Sequence, residues 1–231
     1  MNKFILWDLD GTIVESEDAV FKSKMFKSAS LKYKLEFDLE PKEFIGREAR
    51  QIYKDLLVKN NISGLREEGY WETYNDWYET AVSFIKENVK DIKPRKNIIE
   101  VWTQTSELGI KHAVVTSSRE DVARTYLESI GLLNSCELLT CINHVSKPKP
   151  DPEPYKLTLQ KLRISAADCI VIEDSRSGIK SASDAGLYTI AWVNDILDPQ
   201  YSIASLKLKD LKTEQLIDIF ATGKNVVPTL Q

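Results

Sequence analysis

Four short segments of the chain carry polar side chains whose types suit chemistry on a charged substrate. They supply four carboxylates, one hydroxyl and one ammonium, from Asp8, Asp10, Glu173, Asp174, Thr116 and Lys147. Four carboxylates in one small site repel one another unless a cation is bound among them. Carboxylate oxygens, carbonyls and water are the ligands that Mg²⁺ prefers. A divalent ion with a lysine and a hydroxyl suits a phosphate group and the charge on its oxygens during transfer.

These segments follow short apolar stretches that are typical of buried parallel strands. The predicted strands are Phe4–Trp7, His112–Ser117, Leu138–Ile142, Cys169–Ile172 and Tyr188–Val193. The helices predicted between them are Arg119–Ile130, Pro152–Leu162 and Ser177–Ala185. Such alternation predicts an α/β fold, a Rossmann-like parallel sheet between helices. Ligands of such sheets bind at the carboxyl ends of the strands, where the polar segments stand.

The first polar segment needs a turn to bring both of its acids to one site. Asp8 and Asp10 are two residues apart, and on an extended chain they would point to opposite faces. We expect the turn at Gly11 to bring Asp10 back toward Asp8, so that one acid attacks while the other handles protons.

A long insertion separates the first predicted strand from the second. Residues 15–91 show no convincing strand, and Arg66–Val89 carries a broad apolar face at helical spacing. We therefore predict two domains: a core from residues 1–14 and 92–231, and an all-helical insert from residues 15–91.

The composition excludes several classes of protein. The formal net charge is −4 and no basic stripe is visible, which argues against a nucleic-acid partner. The apolar runs are far shorter than the ~18 residues of a membrane-spanning helix, and Asp8 interrupts the first one too early for a secretory signal. Three cysteines make no disulfide framework and suit a reducing compartment. We expect a cytoplasmic protein with no membrane partner.

The segment Asp8-Leu9-Asp10-Gly11-Thr12 is similar to the DxDGT motif of the haloacid dehalogenase superfamily. The segments Val114-Val115-Thr116, Lys147-Pro148 and Val171-Ile172-Glu173-Asp174-Ser175 follow in the family's order. The helical insert resembles the C1 cap of subfamily IA, the branch that contains phosphoglycolate phosphatases and β-phosphoglucomutase. The resemblance covers almost the whole chain.

The resemblance implies a mechanism for the acids of this chain. Asp8 would attack phosphorus and form an aspartyl phosphate. Asp10 would protonate the leaving alcohol and then deprotonate the incoming water. Mg²⁺ would be held by the Asp8 carboxylate, the Asp10 carbonyl and Asp174, with Glu173 acting directly or through water.

The resemblance also implies how the phosphoryl group is held. Thr116 would donate a hydrogen bond to it, helped by backbone N–H groups near Leu9, Asp10 and Ser117. Lys147 would neutralise phosphate charge and orient Asp8. The alternative for Thr116 is a helix N-cap, and the alternative for Lys147 is an exposed surface lysine.

The insert is expected to supply substrate recognition. Arg47 and Arg50 are candidates to bind a second anionic group, because arginine binds carboxylate or phosphate through two parallel hydrogen bonds. The leading expectation is a phosphatase acting on a small phosphorylated metabolite, either phosphoglycolate-like or a sugar phosphate, as a monomer or weak homodimer.

Two alternatives remain open at this point. One is β-phosphoglucomutase-like phosphoryl transfer, which Val20 weakens because it stands where those mutases carry a histidine. The other is a binding or regulatory module that keeps the fold without turnover.

Overall fold

The computed structural model describes residues 3–16, 18–38, 40, 49–62 and 67–222 of the chain. Contacts divide the chain into two compact units, one formed by Met1–Glu15 with Lys93–Gln231 and the other by Ser16–Ile92. The predicted insert, residues 15–91, differs from the second unit by one residue at each end. None of the described helices is long and apolar enough to cross a membrane.

The unit Ser16–Ile92 is helical throughout its described residues. Its helices are α1 (Ala19–Lys32), α2 (Ala49–Lys59) and α3 (Glu67–Glu87). Trp77 of α3 is fully buried, and its ring stacks on Phe26 with ring centroids 5.1 Å apart. The Trp77 indole N–H donates to Ser30 Oγ at 3.2 Å. Trp77 and Phe26 therefore belong to the core of this unit.

The other unit is built on a parallel sheet. Its strands within the described residues are β1 (Phe4–Trp7), β2 (Lys111–Val115), β3 (Cys136–Thr140), β4 (Cys169–Glu173), β5 (Tyr188–Trp192) and β6 (Leu206–Leu208). They lie in the order β3-β2-β1-β4-β5-β6, and every neighbouring pair is parallel. The predicted α/β class and parallel sheet are confirmed.

Helices cover both faces of this sheet. They are α4 (Ile98–Glu107), α5 (Glu120–Ser129), α6 (Glu153–Leu162), α7 (Arg176–Asp184) and α8 (Thr213–Thr222). Because side chains alternate along a strand, Phe4 and Leu6 of β1 face one side, where they pack with Tyr155 of α6 and Ala182 of α7. The sheet is therefore buried on both faces, which explains the continuous apolar composition of β1.

The other face of β1 carries a buried aromatic stack. Trp7 stacks on Trp102 of α4 with ring centroids 5.7 Å apart, and His112 lies 4.2 Å from the Trp102 ring. The Trp7 indole N–H donates to His112 Nδ1 at 3.0 Å. Burial lowers the pKa of His112 to about 4, so this side chain is a neutral part of the core at pH 7.

Candidate active site

The strand register places Asp8 at the carboxyl edge of the sheet, between β2 and β4. Trp7 pairs with Val114 on one side and with Ile172 on the other. The Asp8 N–H continues this ladder by donating to the Ile172 carbonyl at 2.9 Å. The Asp8 side chain thus emerges beside the end of β4, and the residue is only 6% exposed.

A buried lysine contacts the Asp8 carboxylate, and this lysine is Lys149, not the expected Lys147. Its Nζ lies 2.7 Å from Asp8 Oδ1, from Glu173 Oε1 and from the Val115 carbonyl. The expectation that Lys147 orients Asp8 is corrected, because the Lys147 side chain is exposed and its backbone N–H donates to Glu153. The dipeptide Lys-Pro occurs twice in succession here. The second copy adjoins the start of α6 and is the one directed into the sheet edge.

Glu173 is fully buried and uses both of its carboxylate oxygens within the protein. Oε1 accepts hydrogen bonds from Lys149 and, at 3.3 Å, from the Tyr155 hydroxyl. Oε2 accepts from the backbone N–H groups of Asp174 and Ser175, each at 3.0 Å. Glu173 therefore joins Lys149 to the loop that precedes α7.

The close approach of Glu173 to α7 requires a glycine. A Cβ atom added to Gly178 would overlap the Glu173 carboxylate. Ser175 caps this helix by accepting a hydrogen bond from the Gly178 N–H at 3.1 Å. Ser175 thus caps the helix N-terminus, and Gly178 leaves room for the buried Glu173 carboxylate.

Asp10 lies against the loop that follows β2. Its Oδ2 accepts hydrogen bonds from Ser118 Oγ at 2.5 Å and from Thr116 Oγ1 at 3.4 Å. Thr116 Oγ1 also accepts from the Ser118 N–H at 2.9 Å. Thr116 therefore does not cap α5, whose N-cap residue is Arg119. Ser118 was missed as a site residue, although its place two residues after Thr116 was a signal.

The turn after Asp10 is held from two sides. Gly11 has φ +84°, a left-handed conformation that favours glycine, and a Cβ atom there would overlap Asp174. Thr12 Oγ1 donates to Asp174 Oδ1 at 3.1 Å. Arg95 Nη1 donates to the Gly11 carbonyl at 2.8 Å, and its guanidinium lies 3.8 Å from the centroid of the Trp192 ring.

Burial and mutual repulsion dominate the electrostatics of this edge. Burial, followed by the Glu173 charge, raises the pKa of Asp8 well above its usual value, and the Lys149 ammonium opposes this shift. Burial acts to lower the pKa of Lys149, but Asp8 and Glu173 outweigh it, so the pKa is raised and the ammonium stays charged at pH 7. Lys149 thus offsets only part of the negative charge.

The residues present fit a divalent cation. One carboxylate oxygen each from Asp8, Glu173 and Asp174 lies within 4.8 Å of the others. An all-oxygen set with excess negative charge suits a hard cation, and such a cation would relieve the repulsion that raises the pKa of Asp8. Glu173 contributes its charge to this cluster, although its hydrogen bonds are directed to Lys149 and the α7 loop.

The sequence profile of one family spans this whole site. The profile described as haloacid dehalogenase-like hydrolase matches residues 5–192, which include every site residue described above. This chain belongs to the haloacid dehalogenase-like hydrolases.

Relatives of this hydrolase include phosphatases. Validoxylamine A 7′-phosphate phosphatase of Streptomyces hygroscopicus subsp. limoneus is 26% identical over 216 residues, covering 91% of this chain and 95% of that protein. Hexitol phosphatase A of Escherichia coli (strain K12) is 27% identical over 215 residues, covering 91% and 92%. The predicted enzyme class, a phosphoric monoester hydrolase of this family, is confirmed.

Solved structures share the fold of this hydrolase. The crystal structure of β-phosphoglucomutase from Clostridium difficile superposes with a TM-score of 0.75 at 19% identity. The superposition covers 96% of this chain and 98% of that one. The similarity shows a common fold.

The remaining predicted residues of this hydrolase are placed as follows. Leu9 is buried, and its carbonyl accepts the N–H groups of the next turn, while Ser117 is exposed directly after Thr116. Arg50 is exposed in α2. Arg47 lies outside the described residues. Binding roles for these four residues stay predictions.

Proposed function

We propose that this hydrolase removes the phosphate group from a small phosphomonoester, with Mg²⁺ bound, through a phosphorylated Asp8. The observation that carries the proposal is the contact of Lys149 Nζ with Asp8 Oδ1 at 2.7 Å, in a site that is buried and rich in carboxylates. This contact orients the carboxylate and leaves Oδ2 for attack on phosphorus. Lys149 takes the role that the sequence suggested for Lys147.

The proposed reaction has two steps that use the same residues. Asp8 Oδ2 forms a bond to phosphorus while the bond to the leaving alcohol breaks, and Asp10 gives that oxygen a proton. Asp10 then takes a proton from water, which attacks phosphorus, releases inorganic phosphate and restores Asp8. The Thr116 hydroxyl and the N–H groups of Leu9 and Ser117 would bind the phosphoryl oxygens.

The proposed ion site uses the carboxylates of Asp8 and Asp174 and the backbone carbonyl of Asp10. Glu173 adds charge nearby and anchors Lys149. When bound, Mg²⁺ supplies positive charge that offsets the charge on the phosphoryl oxygens. Lys149 adds a second positive charge at Asp8 and keeps that carboxylate in one orientation.

The proposed substrate is phosphoglycolate-like or a sugar phosphate. A relative named hexitol phosphatase A supports the sugar type. The insert would act as a cap, with Arg47 and Arg50 as candidates to bind a second anionic group of the substrate. A monomer or weak homodimer in the cytoplasm, with no nucleic-acid or membrane partner, stays the prediction for its setting.

The test is phosphate release from phosphoglycolate, hexose phosphates, nucleoside monophosphates and an aryl phosphate, with Mg²⁺ and with a chelator. Wild type is compared with Asp8→Asn and with Asp184→Asn, which changes an exposed carboxylate of α7. We expect release that requires Mg²⁺ and Asp8 and survives in Asp184→Asn. Activity in Asp8→Asn would contradict the nucleophile, and activity in chelator would contradict the metal.

The same panel separates the two alternatives. A mutase would convert one hexose phosphate into its isomer, with a bisphosphate activator and little phosphate release. A binding module would bind a phosphate ester stoichiometrically and release none. Either result from well-folded protein would overturn the proposed hydrolysis.

A further inference from the structure

Arg95 is a half-buried cation next to the site that the proposed reaction does not use. Its guanidinium donates to the Gly11 carbonyl at 2.8 Å, and the guanidinium carbon lies 3.8 Å from the centroid of the Trp192 ring. Its backbone N–H donates to the Ile13 carbonyl at 2.9 Å. One residue thus joins the turn after Asp10 to the end of β5.

The turn that Arg95 contacts is also closed by hydrogen bonds of its own backbone. Gly11 has φ +84°, and glycine restricts its own backbone least of all residues. Hydrogen bonds close the turn internally, from the Gly11 N–H to the Val14 carbonyl at 2.8 Å and from the Val14 N–H to the Leu9 carbonyl at 3.0 Å. From outside the turn, Arg95 holds the carbonyl of residue 11, and Asp174 holds the hydroxyl of Thr12.

The partial burial of the Arg95 guanidinium carries a desolvation cost. Burying a guanidinium is unfavourable unless it is paired and hydrogen-bonded. Here the ring of Trp192 offers a cation–π contact, which is stronger for partly desolvated cations. Asp174 and Glu15 add favourable charge interactions with the guanidinium. The arrangement favours a guanidinium, because an ammonium cannot stack on the ring while donating to the carbonyl.

We propose that Arg95 is a positioning residue for Asp10. It acts through the Gly11 carbonyl: by holding the peptide between Gly11 and Thr12, it restrains the turn that sets the position of the Asp10 carboxylate. The inference rests on the proposed function, because Asp10 is the acid and base of that reaction. Small displacements of a reacting group, of ~1 Å, cost about 10²-fold in rate.

The kinetic test uses Arg95→Met, which keeps the aliphatic stem and removes the donor, and Arg95→Lys, which keeps a donor without the flat cation. Lys96→Ala is the matched control, since Lys96 is the exposed neighbour. We expect kcat to fall ~10- to 100-fold in Arg95→Met, with KM within about threefold of wild type. The kcat of Arg95→Lys is expected to lie between those of Arg95→Met and wild type. The kcat of Lys96→Ala is expected to equal that of wild type. A kcat within twofold of wild type in Arg95→Met overturns the inference.

A second measurement does not depend on activity. Amide hydrogen exchange of Gly11 and Val14 in metal-free protein reports whether the turn stays closed. We expect both amides to exchange at least about tenfold faster in Arg95→Met, with amides of the central strands unchanged. Unchanged exchange at the turn, or faster exchange throughout the sheet, overturns the inference. If wild type releases no phosphate while this local change occurs, it is the proposed function that fails.

Discussion

Replacing Lys149 with methionine tests the centre of the site. Methionine keeps the length and apolar volume of the side chain but removes the ammonium that contacts Asp8, Glu173 and a backbone carbonyl, each at 2.7 Å. The two carboxylates then remain in a buried place without their cation. Lys147→Met is the matched control, because it makes the same change two residues away on an exposed side chain.

The expected magnitude follows from the burial of the two acids. Asp8 is 6% exposed and Glu173 is 0% exposed. Removing one partner of a buried ion pair costs ~3–5 kcal/mol in the free energy of unfolding. For a protein of this size that corresponds to a fall in melting temperature of ~6–20 °C. An exposed substitution such as Lys147→Met is expected to stay within ~0.5 kcal/mol of wild type.

The loss of stability in Lys149→Met should also depend on pH, in a direction set by the pKa of Asp8. The pKa of Asp8 is already raised well above its usual value in the folded protein. A carboxyl with a raised folded-state pKa binds more protons in the folded than in the unfolded state, so stability falls as pH rises through that range. Without Lys149 this shift grows. The deficit of Lys149→Met should therefore be smaller at pH 5.5 than at pH 7.5.

The assay combines urea unfolding at these two pH values with phosphate release at neutral pH. Lys149→Met should be destabilised and inactive, while Lys147→Met should match wild type in both measurements. The reasoning is refuted if Lys149→Met unfolds within ~1 kcal/mol of wild type, well below the buried-pair cost. Loss of activity in Lys147→Met with normal Lys149→Met would refute the assignment of the lysine.

Two further substitutions probe buried packing, one at the site and one in the core of the sheet unit. Gly178→Ala places a methyl group against the Glu173 carboxylate, so we expect a loss of ~2–4 kcal/mol in urea unfolding and loss of phosphate release, whereas Arg176→Ala in the same helix should change neither. His112→Asn retains an acceptor for the indole donor but cannot titrate. Because the folded-state pKa of His112 is about 4 and the usual value is 6.5, stability is lost as pH falls below 6.5, by ~2 kcal/mol between pH 7.5 and 5.0. This pH-dependent loss of stability should vanish in His112→Asn and persist in His144→Asn. The same dependence of unfolding free energy on pH in wild type and both variants would contradict the prediction.

Much of the fold was predictable because the pattern of the sheet is simple. A buried parallel strand requires apolar residues on both faces, and Phe4–Trp7 has that composition throughout. Glycine after a helix marked the ends of α4 and α5, at Gly109 and Gly131, which have positive φ. The strand β6 and helix α8 were missed. The strand has only three residues, too few to show a periodicity.

The site residues were predictable where a single candidate stands near the end of a strand. They were not predictable where two similar candidates stand close together in the sequence. Asp8 and Thr116 each follow a strand directly, so their positions follow from the topology, and Asp10 comes within the turn that begins after Asp8. Lys147 and Lys149 are both followed by proline, and the sequence alone does not show which of the two side chains is buried.

Arg95 was missed for a different reason. Its partner is a backbone carbonyl 84 residues away in the sequence, and such a contact leaves no mark in residue types. The role of Ser118 is similarly defined by a hydrogen bond to Asp10 across 108 residues. Long-range hydrogen bonds of this kind depend on the three-dimensional path of the loops.

The central position of β1 has a consequence for synthesis on the ribosome. The chain emerges from its N-terminus, so β1 is made first, yet its neighbours β2 and β4 begin at Lys111 and Cys169. The unit Ser16–Ile92 is one continuous stretch that is finished before either neighbour emerges. Asp8 is thus made long before Glu173, whose buried carboxylate completes its surroundings. A truncated product that stops short of β4 holds Asp8 but cannot assemble the buried charges around it.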